Sequence, residues 1–149
     1  MSLNRMDGWD NIPWRAHCFT FERMMNMLRV SFVSISVSDQ DRALKFYTEK
    51  LGFDVVTDQP FGNGTRWIQL RPPGAQTDVV LFTPPGQEAR IGGFQNMAFT
   101  CEDVVGTCKL LKERGVEFVK DAERANWGGM EAIFKDPDGN TFVLANPNE

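Results

Sequence analysis

The sequence predicts an α+β fold built from two βαβββ modules with a groove between them. Three observations carry this. The chain says nearly the same thing twice: Val37-Ser38-Asp39 opens an amphipathic stretch closing at Leu51-Gly52-Phe53, and Cys101-Glu102-Asp103 opens another closing at Gly115-Val116. The two aspartates lie 64 residues apart. Each half reads strand, helix, then several strands, and the stretch from Pro84 to Gly93 has the Pro, Gly and charged composition of a linker. The predicted organisation is an N-terminal extension over 1–26 and a single domain over 27–149. Within that domain 27–86 form the first module, 87–93 the linker and 94–149 the second module.

The elements follow in order. Val30 to Val37 alternates, with Phe32, Ser34 and Ser36 on one face and Val33, Ile35 and Val37 on the other, the period of a strand. Asp39 is placed to cap the next helix, because its carboxylate accepts from unpaired N–H groups. Ala43, Leu44, Tyr47 and Leu51 recur at helical spacing, and Gly52 supplies the stop. A strand begins at Phe53. Asn63-Gly64 signals a hairpin, and Thr65 to Arg71 and Thr77 to Thr83 read as strands separated by Pro72-Pro73-Gly74. In the second half, Met97 to Cys101 is a strand and Asp103 to Arg114 a helix. Strands follow near Val116–Val119, Met130–Lys135 and Thr141–Ala145, the last two joined by the tight turn Asp136-Pro137-Asp138-Gly139-Asn140. Short turns between consecutive strands imply antiparallel pairing.

Composition narrows the function. A chain of 149 residues, 42% hydrophobic and 24% charged, suits one domain with a real core. With a net charge of −4 and no basic stripe, nucleic acid is not an expected partner. Cys18, Cys101 and Cys108 form neither a disulfide framework nor a zinc pattern, and they read as reduced thiols of a cytoplasmic protein. No apolar run reaches the roughly 20 residues that span a bilayer, so no membrane partner is expected. Asp7, Asp10 and Glu22 interrupt the first 26 residues, which do not read as a signal peptide.

The pattern Val37-Ser38-Asp39, Phe46-Tyr47, Leu51-Gly52-Phe53 with the late Asp136-Pro137-Asp138-Gly139-Asn140 resembles the vicinal oxygen chelate superfamily: the glyoxalases, bleomycin-resistance proteins and extradiol dioxygenases. The resemblance covers residues 28–146. It implies half-barrel sheets that form a cupped active-site groove, and a homodimer, in some members with exchanged modules. In metal-dependent members it assigns ligands to four strand places, held here by Phe32, Val80, Asn96 and Val143. Two valines and a phenylalanine carry no donor, and Asn96 offers one carbonyl oxygen, whereas zinc, nickel and iron sites take His, carboxylate or thiolate ligands. The chain's one histidine is His17. The expectation is therefore a protein without metal or other cofactor.

Strand parity then fills the groove. Phe32 and Ser34 share one face; Trp67, Gln69 and Arg71 oppose the aliphatic face of Ile68 and Leu70; Asp78 and Phe82 flank Val80; Ala98 and Thr100 share the face of Asn96; and Trp127 stands in a Gly-rich loop before a cup strand. Such a surface suits a flat or amphiphilic organic ligand, stacked on Trp67 or Trp127, with Arg71 either holding a ligand carboxylate through a bidentate pair or solvated at its strand end before Pro72. Trp127 reads equally as a dimer contact. The expected function is binding of a small aromatic or amphiphilic molecule, as in sequestration or resistance. The alternatives are a metal-independent enzyme using Glu131 or Asp78 as a base of raised pKa, and a metal-dependent lyase or dioxygenase.

Overall fold

The carboxylates of Asp39 and Asp103 accept from the backbone N–H groups of Arg42 at 2.9 Å and Gly106 at 2.8 Å, so each repeat starts its helix in the same way. The computed structural model describes residues 28–148; His17, Cys18 and the rest of the extension lie outside them. The first module runs β1 (Phe32–Ile35), α1 (Gln40–Lys45), β2 (Asp54–Gly62), β3 (Thr65–Arg71) and β4 (Asp78–Leu81). The second runs β5 (Gly93–Thr100), α2 (Val104–Glu113), β6 (Glu117–Arg124), β7 (Met130–Lys135) and β8 (Asn140–Asn146). After Lys45 the first helix widens: Leu51 donates to the carbonyl of Phe46 at 3.3 Å, five residues back. Gly52, at φ +76°, then turns the chain out of the helix. Among the described residues no helix is long and apolar enough to cross a membrane.

Each module makes a four-stranded sheet, ordered β1-β4-β3-β2 and β5-β8-β7-β6. The three consecutive strands pair antiparallel, as short turns require. The first strand returns through its helix and lies parallel to the last, Phe32 opposite Asp78 and Ala98 opposite Val143, because a helical crossover brings the chain back in the same direction. The two sheets are therefore mixed.

The inner faces form one core. Ile35, Ile68, Leu70 and Leu81 of the first sheet join Ala132, Phe134, Phe142 and Leu144 of the second, with Ala43, Tyr47, Cys108 and Leu111 from the helical segments. Tyr47 meets Phe142 and Phe53 meets Phe99 across the modules, with ring centroids 6.4 and 5.7 Å apart.

The turn Asp136–Asn140 locks the modules together. Buried Asn140 donates through Nδ2 to the Ser36 carbonyl at 2.9 Å and to Asp136 Oδ2 at 2.8 Å. Its Oδ1 accepts from Gly92 N and from Gln95 Nε2, each at 2.8 Å. Tyr47 Oη donates to Asp136 Oδ2 at 2.7 Å. Burial raises the Asp136 carboxyl above the usual range, opposed by its bonds from Asn140 and Tyr47. Burial also raises the Tyr47 hydroxyl well above its ordinary value, and the Asp136 charge adds to this. At the rim, Asp138 accepts from Ser38 Oγ and pairs with Arg42 Nη2 at 2.7 Å.

Candidate functional site

Register fixes which side chains share the outer face of the first sheet. Phe32 lies opposite Asp78, Ser34 opposite Val80, and Val80 opposite Gln69. Trp67, Arg71 and Phe82 sit two residues from these and point the same way. Four aromatic rings meet on this face. Phe32 stands edge-on to Trp67 at 5.2 Å between centroids, Phe82 lies 5.6 Å from Trp67, and Phe61 lies 5.5 Å from Trp67 and 5.1 Å from Phe82. Phe32 is 41% exposed and Phe61 58%. The wall thus presents aromatic surface to solvent.

A polar chain runs beside the rings. Trp67 Nε1 donates to Gln69 Oε1 at 3.2 Å, and Gln69 Nε2 donates to Asp78 Oδ2 at 2.6 Å. Arg71 grips Asp78 with Nε at 2.7 Å and Nη2 at 2.9 Å. This is the bidentate geometry expected of a ligand carboxylate, but the carboxylate is the chain's own, and the expectation that Arg71 holds a ligand carboxylate is corrected to a pair with Asp78. The cause is register: pairing Gln69 with Val80 sets Arg71 opposite Asp78. Val80 is also corrected as a groove residue, since it is fully buried beneath its neighbours. Ser34 is half-buried.

The second sheet's outer face differs. Val143 lies opposite Ala98 and Ile133, and Glu131 opposite Ala145 and Glu123. Lys120 Nζ bonds Glu131 Oε1 at 2.6 Å and Glu123 Oε1 at 2.8 Å. Trp127 Nε1 donates to Glu131 Oε2 at 2.9 Å. Asn96 does not continue the ladder beside Ala98. It is exposed at φ +51°, inside the two-residue irregularity between Phe94 and Ala98.

Neither carboxylate has the raised pKa that a base in an apolar cup would show. Arg71, helped by Gln69 and against the pull of burial, holds Asp78 below the usual range. Lys120 and then Trp127 do the same for Glu131. Both remain ionised, weakly basic and already bonded, which overturns the expectation of a poised base. Burial pushes the Cys108 thiol up, so it is not an activated nucleophile. The places assigned to metal ligands hold Phe32, Val80, Asn96 and Val143, which do not fit a metal. Among the described residues no group of three or more His, Cys, Asp or Glu could hold one.

Two clefts lie nearby. One of about 350 Å³ opens beside Asp78, between Pro72-Pro73-Gly74 and Met97–Thr100. Another of about 300 Å³ lies at the head of α1. Its polar groups are already engaged: Gln40 Nε2 bonds the carbonyls of Arg66 and Leu81, each at 2.7 Å, and Arg66 pairs with Asp41 and Asp58.

Phe61 was not among the residues that alternation predicts. A two-residue hairpin at Asn63-Gly64 would pair Phe61 with Arg66 and turn it from the wall. The ladder instead pairs Pro60 with Arg66 and Gly62 with Thr65, so Phe61 is the extra residue of a bulge and swings over Trp67. The signal was Pro60, which interrupts a strand where bulges occur.

The model of the Glyoxalase/Bleomycin resistance protein/Dioxygenase superfamily matches residues 29–144. The chain is 36% identical over 116 residues to the protein YetH of Bacillus subtilis (strain 168), covering 78% of this chain and 96% of that one. A crystal structure of a superfamily member from Sphaerobacter thermophilus DSM 20745 is 40% identical, with TM-score 0.73, and covers 80% of this chain and 97% of that one. TnmS3, an antibiotic binding protein from Streptomyces sp. CB03234, is 38% identical, with TM-score 0.68, over 80% of this chain and 96% of that one.

Proposed function

The chain belongs to the glyoxalase/bleomycin resistance protein/dioxygenase superfamily, and we propose that within it this protein binds a small planar aromatic molecule without a metal and without turnover. The observation that carries the reading is the four-ring wall of Phe32, Phe61, Trp67 and Phe82. Two of the rings, Phe32 and Phe61, are exposed, and the four, set edge-on or tilted to one another, offer a stacking surface worth about 0.5–1.5 kcal/mol per aromatic contact beyond area burial. The neighbouring Arg71 and Asp78 neutralise each other, so the pair adds no net charge to the wall that would recruit an anion. The likeness to an antibiotic-binding protein supports a role in sequestration or resistance.

The wall is open on the solvent side, and a second copy of the chain closes it into a cup. The working form is accordingly a cytoplasmic homodimer that engages neither nucleic acid nor membrane. The domain is 27–149, with the extension over 1–26 outside it. Native mass spectrometry of freshly purified, chelator-free protein tests the reading. The expected spectrum is a metal-free dimer, with an organic adduct when ligand co-purifies. Stoichiometric zinc, nickel or iron would overturn it in favour of a lyase or dioxygenase.

A further inference from the structure

The inner sheet faces of the two modules repeat, but the helical segments and turns laid on them do not. Asp39 and Asp103 are 64 residues apart, and so are the ends of β3 and β7, Arg71 and Lys135. The same offset sets Leu111 at the place of Tyr47, and Pro72-Pro73 at the place of Asp136-Pro137. In the first module Tyr47 is fully buried. Its hydroxyl donates to Asp136 at 2.7 Å, and its ring lies 5.8 Å from Phe53 and 6.4 Å from Phe142 between centroids. The cleft at that place, of about 310 Å³, is walled by Phe46, Lys50, Glu117, Lys135 and the Asp136-Pro137 turn. Its walls do not extend to Tyr47 or to the strand residues Leu70 and Leu81.

The second module lacks both halves of this closure. Leucine is shorter than tyrosine and carries no hydroxyl, and Pro72-Pro73 offers no carboxylate to receive one. The cleft between α2 and Pro72-Pro73 accordingly runs in to Phe134 and Leu144, side chains only 2% and 4% exposed. It measures about 180 Å³, and Phe53 and Phe99 also line it, their rings 5.7 Å apart. A cavity of about 150 Å³ lined by Leu, Ile and Phe admits benzene. Side chains that face empty space forfeit dispersion contacts, which an occupant of the right size restores.

We infer that this cleft is a binding site, separate from the aromatic wall, for a neutral molecule built on one benzene-sized ring. The molecule takes in the second module the place that the Tyr47 ring takes in the first. The lining decides its chemistry. No charged residue is part of it, so an ion would enter without a counter-charge. Phenylalanine rings favour an aromatic occupant. Thr100, Cys101 and Thr107 are the polar lining residues, enough for one hydroxyl substituent. The inference stands apart from the binding reading above, which concerns the outer face.

The test titrates full-length protein, labelled at its leucine methyl groups, with p-cresol, the side chain of tyrosine as a free molecule. Signals lost in Leu51→Val and Leu144→Val identify two leucines of the cleft, and those lost in Leu70→Val and Leu81→Val identify two core leucines of the first module. Saturable shifts are expected at Leu51 and Leu144 and not at Leu70 or Leu81. Leu111→Tyr supplies the missing ring from the chain itself and is expected to weaken p-cresol at least about tenfold. Thr107→Met fills the cleft from a half-buried position, is expected to act in the same direction, and carries the test should Leu111→Tyr not fold. The neutral planar dye Nile red probes the wall, and saturating p-cresol is expected to change its affinity by under about twofold. No saturable shift at Leu51 and Leu144, or unchanged p-cresol affinity in a folded cleft-filling variant, overturns the inference. Displacement of Nile red by p-cresol without those leucine shifts places p-cresol on the wall; it overturns the inference and leaves the binding reading standing.

Discussion

On the outer face of the first sheet Phe32, Phe61, Trp67 and Phe82 merge into one aromatic surface, whereas the corresponding face of the second carries Lys120, Glu123 and Glu131 with the indole of Trp127 at its edge. The inner faces show no such divergence. Ile35, Ile68, Leu70 and Leu81 on one side, and Ala132, Phe134, Phe142 and Leu144 on the other, are apolar and buried. A β-strand alternates its side chains, so half of its positions answer to the core and half are free of it. In both modules the inward half repeats one packing solution. The outward half carries different chemistry, and the account of binding rests there.

The largest test of this division acts on the inner side. Asn140→Ala leaves the Ser36 carbonyl, Gly92 N and Asp136 short of partners in a buried site and is expected to cost about 3 kcal/mol in urea unfolding. A loss under about 1 kcal/mol would mean that the turn between β7 and β8 does not lock the modules.

Acid sharpens the contrast between outer and inner carboxylates. Asp78 and Glu131 titrate below the ordinary range when folded, so each stabilises the fold above that range and loses the contribution as pH falls through its folded value. Asp136 has the opposite sign: burial raises it, so its contribution is present at low pH and is lost as pH rises through its folded value. Asp78→Asn should flatten the acid limb of a stability-versus-pH curve and leave the limb above it in place. An unchanged acid limb would show that Arg71 does not depend on that carboxylate.

Phe61→Ala should lower Nile red affinity about three- to tenfold while changing stability by under about 1 kcal/mol, because its ring is mostly exposed. A stability loss with intact affinity would make Phe61 a packing residue. The smallest expected effect is a control: Val119→Thr, on an exposed position of β6, should stay within about 0.5 kcal/mol and leave dye binding alone.

Much of the fold was legible because its signals are local. The caps at Asp39 and Asp103, the stop at Gly52, and strands β3 and β7 to the residue follow from alternation and turn chemistry. The wall was legible in part, since alternation put Trp67 opposite Ile68 and Leu70. Phe61 escaped because a bulge breaks the alternation it would have obeyed. Arg71 was misread because its partner lies across a turn, and only the strand register shows that Asp78 faces it. Val80 was placed on the right face but buried there, since parity gives direction and not depth. The lock at Asn140 joins groups 104 residues apart, which no local pattern encodes.

The central claim is that the aromatic wall of the first sheet binds a planar aromatic molecule. The most direct measurement is a fluorescence titration of wild type and Trp67→Ala with Nile red, with unfolding curves confirming that both are folded. The account predicts saturable binding by the wild type and at least about a tenfold weaker affinity in the variant, since Trp67 touches Phe32, Phe61 and Phe82 at once. Equal affinity in two folded proteins would contradict it.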